Sequence, residues 1–184
     1  MATTHHAVID VLAGYRPKTA AELADVNRVN ALVEVDDPWL WTNPLHVTAS
    51  ALIVHPGSGR VLLRWHPRHQ SWLLVGGHAD PGEYAPLAIA LREAHEETGL
   101  PDLSPWPDPE VRHLAIVPVP ANSQEEPHEH ADLRFVLATQ VPEVARPENP
   151  DAPLRWLSLE EARMAITEAN IQDTLSRVEP LLAG

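Results

Sequence analysis

Three glutamates near the middle of the chain have a spacing that suits cation binding. Glu93, Glu96 and Glu97 lie three and four residues apart, and side chains with that spacing are neighbours on one face of a helix. At about 100° per residue, the three carboxylates fall within an arc of about 100°. Hard divalent cations such as Mg²⁺ prefer carboxylate oxygens and bridge them to substrate phosphates. The spacing therefore indicates metal-assisted phosphoryl chemistry with a bound water as the attacking group.

The helix that would position these glutamates is predicted over residues 86–98. Pro86 suits the first helical position, and Gly99 suits the C-terminal cap. The apolar residues fall on the opposite side of the helical wheel: Leu87, Leu91 and Ala94. We therefore expect one face to bury apolar groups and the other to present the carboxylates.

An acidic helix face is often only solvated surface, and two features favour a cation site instead. The acids lie in the last turns of the helix, where its dipole disfavours each negative charge by roughly 0.3 to 1 kcal/mol. The helix also follows a predicted strand that ends at Gly76-Gly77. Glycines at that point leave backbone groups free beside the carboxylates.

The segment Arg92-Glu93-Ala94-His95-Glu96-Glu97-Thr98-Gly99-Leu100 resembles the Nudix hydrolase signature. It matches the second half of that signature completely, as Arg-Glu-apolar-any-Glu-Glu-any-Gly-apolar. Gly77 fits the leading glycine, and Glu83 follows it after the five residues that the signature requires. Eight residues instead of seven separate Glu83 from Arg92, so the preceding loop carries one inserted residue. The resemblance extends over residues 45–168.

The resemblance implies a role for each residue of the motif. Glu93, Glu96 and Glu97 would be metal ligands for Mg²⁺ or Mn²⁺, and one of them would also act as the general base. Gly77 would offer its backbone carbonyl to the metal, and Arg92 would orient the glutamates through an ion pair. The implied reaction is attack by water on a phosphoanhydride bond of a nucleoside diphosphate linked to a moiety X. Its products are a nucleoside monophosphate and a phosphorylated X.

Residues outside the signature supply further candidates for the site. His78 directly follows the glycines and is a candidate phosphate contact. Glu129 lies in a predicted polar loop over residues 120–131, where it is a candidate substrate contact. Glu126 or Glu129 is also a candidate for an alternative base. His128 and His130 flank Glu129 and could bind a metal, although histidines in such a loop are more often solvated.

The surrounding elements predict an α/β fold, and the resemblance makes it a Nudix-like α/β/α sandwich with a mixed sheet. Strands are predicted over residues 46–55, 60–65, 71–75, 111–118, 132–139 and 154–157. Further helices are predicted over residues 4–13, 20–33 and 168–182, and after a capping-box signature at Ser158 and Glu161. Residues 1–44 would form an N-terminal helical arm and linker, and residues 45–184 the catalytic domain. The arm would pack on this domain or on a second copy in a homodimer.

Composition narrows the class of partner. The 184-residue chain has a net charge of -13 and no cysteine. Strong acidity disfavours nucleic acid polymers, and we expect no membrane partner and a cytoplasmic location, because neither a signal peptide nor a long apolar run is present. The expected partner is a small nucleotide-type substrate.

An isopentenyl diphosphate isomerase of the same fold is excluded because it depends on a cysteine. A non-catalytic regulator that senses a nucleotide metabolite is the alternative function.

Overall fold

The computed structural model describes residues 5–121 and 125–183. Within these ranges the chain forms five α-helices and eight β-strands. The helices are α1 (His6–Gly14), α2 (Ala20–Val35), α3 (Pro86–Thr98), α4 (Leu159–Ala165) and α5 (Ala169–Leu182). The strands are β1 (Leu45–His55), β2 (Arg60–His66), β3 (Ser71–Leu73), β4 (Val75–Gly77), β5 (Ser104–Pro105), β6 (His113–Val119), β7 (His128–Ala138) and β8 (Leu154–Leu157). None of these helices combines the length and apolar character needed to span a membrane.

One mixed sheet is built around β1 and β7. These two strands run parallel and stay in register from Leu45 opposite Glu129 to Val54 opposite Ala138. The other strand pairs are antiparallel: β2 and β4 flank β1, β5 and β6 flank β7, and β3 and β8 lie along β2. Strand β1 is buried along nearly its whole length, as expected for a central strand that is covered on both faces.

Helices cover both faces of the sheet. Side chains alternate between the two faces of a strand, so Ala49 and Ile53 of β1 join the core beneath α1, α2 and α3, whereas Leu52 and Val54 join the core beneath α4 and α5. The predicted α/β/α sandwich is therefore confirmed. Apolar side chains fill the second face only at the C-terminal half of β1. Its N-terminal half carries polar residues and remains open to a cleft: His46, Thr48 and Ser50.

The N-terminal helices pack on the same chain. Val29 of α2 is fully buried in the first core. Thr19 caps α2 by accepting the Glu22 N–H at 3.1 Å, but the Glu22 carboxylate pairs with Arg177 of α5 at 2.8 Å. Only half of the predicted capping box therefore forms. Val26 and Val29 are buried as their helical spacing predicts, but Leu23, which has the same spacing, is 48% exposed.

Residues 4 and 122–124, which belong to predicted elements, lie outside the described residues. Two predictions about strands need correction. The predicted third strand divides into β3, which pairs with β2, and β4, which pairs with β1. The predicted polar loop over residues 120–131 is wrong from His128 onward, because β7 begins there and pairs with both β1 and β6. The capping box at Ser158 and Glu161 is confirmed before α4.

Candidate active site

Helix α3 presents its glutamates toward the sheet as well as toward solvent. Glu97 is buried, with only 9% of its surface exposed. The Glu93 side chain is 17% exposed, and that of Glu96 is 51% exposed. The predicted apolar residues Leu87, Leu91 and Ala94 do pack on the first core, but the acidic face is not wholly exposed, because Glu97 is buried. Ile89 and Ala90, which are fully buried, share the packed side of the helix with Glu97.

Two glycines create the space that the carboxylates occupy. Gly76 has a φ of +148°, and a Cβ there would lie 2.5 Å from the Cα of Ser50. A Cβ on Gly77 would lie 2.5 Å from Oε1 of Glu93. Any other residue type would therefore push β4 away from β1 or displace the carboxylate. The Gly-Gly pair lets acidic side chains pack against a strand edge.

Glu97 is held between a backbone donor and an arginine. The Gly76 N–H donates to Oε2 of Glu97 at 3.1 Å, and Nη1 of Arg64 on β2 lies 3.1 Å from Oε1. Burial raises the pKa of Glu97 to about 7, against the opposing effects of Arg64 and the Gly76 N–H. A carboxyl group with a pKa near the working pH can both accept and release a proton.

Arg92 joins the remaining acids. Its Nε donates to both oxygens of Glu83 at 3.1 Å, its Nη2 lies 3.1 Å from Oε1 of Glu93, and its Nη1 lies 2.8 Å from Oε2 of Glu96. Nη2 also donates to the backbone carbonyl of His78 at 2.9 Å. The inserted residue before α3 therefore leaves Glu83 in contact with the motif.

The pKa values of the acids around Arg92 shift in different directions. Burial raises the pKa of Glu93, although Arg92 opposes the shift. Burial alone would also raise the pKa of Glu83, but hydrogen bonds from Arg92 and from the Asp80 N–H outweigh it, so this pKa lies below its ordinary value. Glu83 is thus a fixed anion for Arg92, whereas Glu93 and Glu97 lack full compensation for their burial. Buried carboxylates of this kind are good ligands for a hard divalent cation.

A cleft of about 890 Å³ opens beside Glu97 and Gly77. Its size is within the range of small-molecule sites, roughly 300 to 1,000 Å³. Arg64 and Arg68 line its wall, where they pair with Glu97 and Glu125 respectively. Trp41, which is 69% exposed, also lines it. Three other tryptophans pack within the protein: Trp39 is buried, Trp65 packs on Trp72, and Trp106 packs on the second core.

The two candidate contacts outside the signature occupy different places. His78 lines the cleft, and its Nε2 lies 3.0 Å from Nε2 of His46. Glu129 points away from the cleft residues of β7 and pairs with Arg28 of α2, with an Nη1–Oε1 distance of 3.2 Å. The structure thus brings His78 to the cleft and does not bring Glu129 there.

Sequence reasoning named His78, His128 and His130 separately, but it missed His46 and the meeting of these rings in the cleft. Within the described part of the chain, three potential metal ligands have donor atoms within 4.8 Å of one another: His46, His78 and His130. The glutamates of α3 do not form such a group. His130, Asp132 and Arg134 alternate along β7 and therefore share one face. This alternation was the available signal, but assignment of residues 120–131 to a loop concealed it.

Below the histidines, a buried ion pair forms the floor of the cleft. Nε of Arg134 donates to Oδ2 of Asp132 at 2.7 Å, and Arg134 is only 3% exposed. Ser50 donates to the same carboxylate at 2.8 Å. Nη1 of Arg134 donates to the backbone carbonyl of Asn170 at 2.8 Å and to Thr174 at 3.0 Å. The pair thereby ties β7 to the N-terminal half of α5.

The chain is similar to known proteins over most of its length. A sequence model of the NUDIX domain matches residues 44–177. A probable DHNTP pyrophosphohydrolase from Lactococcus lactis subsp. cremoris is 34% identical over 121 residues, which cover 65% of this chain and 69% of that protein. The NUDIX match includes the glutamates of α3, the glycines of β4 and the histidines of the cleft.

Solved structures share the fold. A NUDIX-family hydrolase from Clostridium perfringens has a TM-score of 0.58 at 24% identity, over 74% of this chain and 97% of that one. An Ap4A hydrolase from C. elegans in a binary complex has a TM-score of 0.59 at 22% identity, over 75% and 98%. The dihydroneopterin triphosphate pyrophosphohydrolase of E. coli has a TM-score of 0.54 at 17% identity, over 77% and 96%. At these identities the likeness concerns the fold.

Proposed function

The chain belongs to the NUDIX family of pyrophosphohydrolases, and from this premise we propose that it hydrolyses a phosphoanhydride bond of a nucleoside diphosphate derivative with Mg²⁺ or Mn²⁺. Water attacks one phosphorus, and the products are a nucleoside monophosphate and a phosphorylated second moiety. The observation that carries the proposal is the burial of Glu97, beside Arg64 and Gly76, in the wall of the cleft.

The donors around α3 suit a hard cation. The side chains of Glu93, Glu96 and Glu97, together with the backbone carbonyl of Gly77, would hold the ion, since all are oxygen donors. When bound, it neutralises phosphoryl oxygens and lowers the pKa of a coordinated water. The packing of Gly77 against the Glu93 carboxylate supports this fit, because a larger residue would displace the ligand.

Among the three glutamates, Glu97 is the best candidate for the general base. It is the most buried of the three and lines the cleft, where a carboxylate can take a proton from the attacking water. Arg64 favours the ionised form of Glu97 by opposing the effect of burial on its pKa. Arg92 holds Glu93 and Glu96 in place through its ion pairs. The engagement of Glu129 with Arg28 disfavours Glu129 as an alternative base.

The cleft favours a substrate that combines several phosphates with a flat ring. Arg64 and Arg68 can contact phosphate oxygens, and the exposed Trp41 can stack on a ring, an interaction worth about 1 to 3 kcal/mol for a nucleobase. The similarity to a probable DHNTP pyrophosphohydrolase makes dihydroneopterin triphosphate the first compound to test. We assign the chemistry to residues 45–184 and treat residues 1–44 as a packed extension of that domain.

The proposal is tested by a substrate screen with Mg²⁺ and with Mn²⁺. The panel contains dihydroneopterin triphosphate, Ap4A, nucleoside triphosphates, ADP-ribose and sugar nucleotides, and products are separated by chromatography. Reaction in water enriched in heavy oxygen identifies the phosphorus that is attacked. We expect turnover of at least one compound, and strong loss of turnover in Glu97→Gln but not in His55→Asn, a change in the β1–β2 turn. Tight binding of a compound without turnover of any would contradict the proposal and favour a non-catalytic regulator that senses a nucleotide metabolite.

A further inference from the structure

Four histidines, which we call the imidazole cluster, meet in the cleft: His46, His78, His128 and His130. They come from β1, from the residue after β4 and from β7. The ring centroids of contacting pairs lie between 4.8 and 5.3 Å apart. None of these rings is at a fixed position of the signature, and the hydrolysis proposed above gives them no role.

The register of the sheet brings the cluster together. His46 of β1 is directly opposite His130 of the parallel strand β7, and His128 lies two residues before His130 on the same face. Gly76 and Gly77 then allow β4 to pair closely with β1, so that the chain delivers His78 to the same place. The cluster is therefore a product of tertiary pairing between segments more than thirty residues apart.

Backbone carbonyls orient two of the rings. Nδ1 of His46 lies 2.9 Å from the Asn43 carbonyl, and Nδ1 of His128 lies 2.9 Å from the Glu126 carbonyl. A carbonyl oxygen only accepts hydrogen bonds, so each Nδ1 carries the proton and each Nε2 keeps its lone pair. Imidazoles that bind metals are usually held in this way, with the second nitrogen donating to a carbonyl or carboxylate.

The free nitrogens point at one another. Nε2 of His46 lies 3.0 Å from Nε2 of His78, and Nε2 of His128 lies 3.2 Å from Nε2 of His130. Nitrogens bound to one tetrahedral Zn²⁺ at about 2.0 to 2.1 Å lie roughly 3.3 to 3.4 Å apart. The observed separations are close to that value. A hydrogen bond in which the two nitrogens share one proton would also explain each short distance. The two explanations are distinguished by whether the protein binds a metal ion at these nitrogens.

Asp132 does not supply oxygen ligands to the imidazole cluster. Both oxygens of Asp132 accept the Ser50 hydroxyl, and Oδ2 also accepts Nε of Arg134. Asp132 is thus occupied by its own ion pair, and the donors directed at the common space are ring nitrogens. Imidazole donors favour Zn²⁺, Cu²⁺, Ni²⁺ and iron, whereas Mg²⁺ requires oxygen ligands.

We propose that His46, His78 and His130 form a second metal site, which binds a first-row transition ion of the Zn²⁺ type and is separate from the carboxylates of α3. Their donor atoms lie within 4.8 Å of one another, and small side-chain rotations bring all three within bonding distance of one ion. His128 is placed to supply a fourth nitrogen. Because the site borders the same cleft as Glu97, a coordination position left open by three histidines would face the substrate.

The test is a titration of the full-length, metal-free protein with Co²⁺ in excess Mg²⁺, which occupies oxygen sites. We expect one equivalent of Co²⁺ with the intense visible bands of four-coordinate nitrogen ligation, and bleaching of these bands by Zn²⁺. His78→Asn and His130→Asn should each weaken this binding by at least about 100-fold, because loss of even an outer-shell partner costs about 10- to 100-fold. Glu97→Gln and the surface control His55→Asn should bind as the wild type does.

The outcomes separate this site from the carboxylate site. His78 lies outside the regular strands and keeps part of its surface exposed, so His78→Asn tests the site even if His130→Asn fails to fold. Melting curves without metal establish that each variant is folded. Unchanged Co²⁺ binding in folded His78→Asn, or none in the wild type under excess Mg²⁺, would overturn the proposal and leave hydrogen-bonded imidazole pairs. Loss of the bands in Glu97→Gln would overturn the separation of the two sites.

Discussion

The glutamates of α3 and the imidazole cluster meet at the segment from Gly76 to His78, yet they are stabilised in opposite ways. The glutamates are held apart by arginines, since Arg92 pairs with Glu93 and Glu96 while Arg64 pairs with Glu97. The imidazoles converge and contact one another instead. Arg92 links the two regions, because it also donates to the backbone carbonyl of His78.

Charge explains the difference. Burial raises the pKa of a carboxyl group because it takes the charged form out of water, and for Glu93 and Glu97 this effect outweighs the opposing effects of Arg92 and Arg64. Burial acts on histidine in the other direction and favours the neutral ring. The Nε2 end of His78 lies among the other rings, and desolvation lowers its pKa and that of His46, and lowers the pKa of His130 to about 3. One region therefore needs cations, whereas the other can be buried without them.

The largest expected effect is on kcat, and it distinguishes the glutamates of α3 from the imidazole cluster. Glu97→Gln should lower kcat by about 10²- to 10⁴-fold, since it removes a proton acceptor and an anionic oxygen donor from the cleft. His78→Asn should leave much more activity, because it changes no carboxylate. The measurement is steady-state kinetics on the best substrate of the screen, with circular dichroism to verify folding. Equal losses in the two variants would mean that the two regions act as one site.

A smaller effect tests the link between the regions. Arg92→Gln should lower kcat by about 10- to 100-fold by releasing Glu93 and Glu96, as loss of outer-shell groups does at metal sites. Arg92→Lys should restore little, because an ammonium cannot reproduce the forked contacts to several carboxylates. Mn²⁺ affinity, measured by electron spin resonance, should fall in parallel with kcat. Full rescue by lysine would show that only the positive charge matters.

The two glycines between the regions should respond differently to the same substitution. Gly76→Ala meets the Ser50 backbone at a positive φ, so we expect a loss of stability of about 1 to 3 kcal/mol. Gly77→Ala meets the end of the Glu93 side chain, which can move, so activity should fall more than stability. Melting temperature and kcat are measured for both. The reverse ranking would show that β4 does not depend on close packing with β1.

The last expected effect is on the pH dependence of stability and concerns His113, a buried histidine outside the imidazole cluster. Its Nδ1 lies 2.9 Å from the Thr174 hydroxyl, and burial, with Arg134 and Arg177 nearby, lowers its pKa from 6.5 to about 3. The unfolded chain therefore takes up a proton that the folded chain refuses, and stability falls as the pH drops below 6.5 toward 3. This slope is at most about 1.4 kcal/mol per pH unit for one group.

His113→Asn retains a polar group near Thr174 but cannot bind that proton. Its melting temperature should consequently fall less steeply with acidification than that of the wild type. Zn²⁺ should not change the difference between the two proteins, because His113 is not a proposed ligand. Identical slopes for the two proteins would show that protonation of His113 does not limit acid stability.

Local sequence signals are sufficient to predict the helices whose first and last residues are marked by capping residues. Pro86 and Gly99 bound α3 as predicted, and Ser158 and Glu161 form the capping box of α4. The motif from Arg92 to Leu100 likewise indicates the family from nine consecutive residues. These features depend on residues within a few positions of one another, which a linear pattern reports directly.

Tertiary structure decided which faces were buried and which distant residues met. The helical wheel of α3 gave the correct spacing of the glutamates but could not show that two glycines in β4 would admit Glu97 to the packed side. Likewise, no local pattern places His46 opposite His130, because that contact requires the parallel register of β1 and β7. The sequence alone thus determined the carboxylate motif and the class of chemistry. Only strand pairing, which depends on contacts far apart in the chain, brought the imidazoles together.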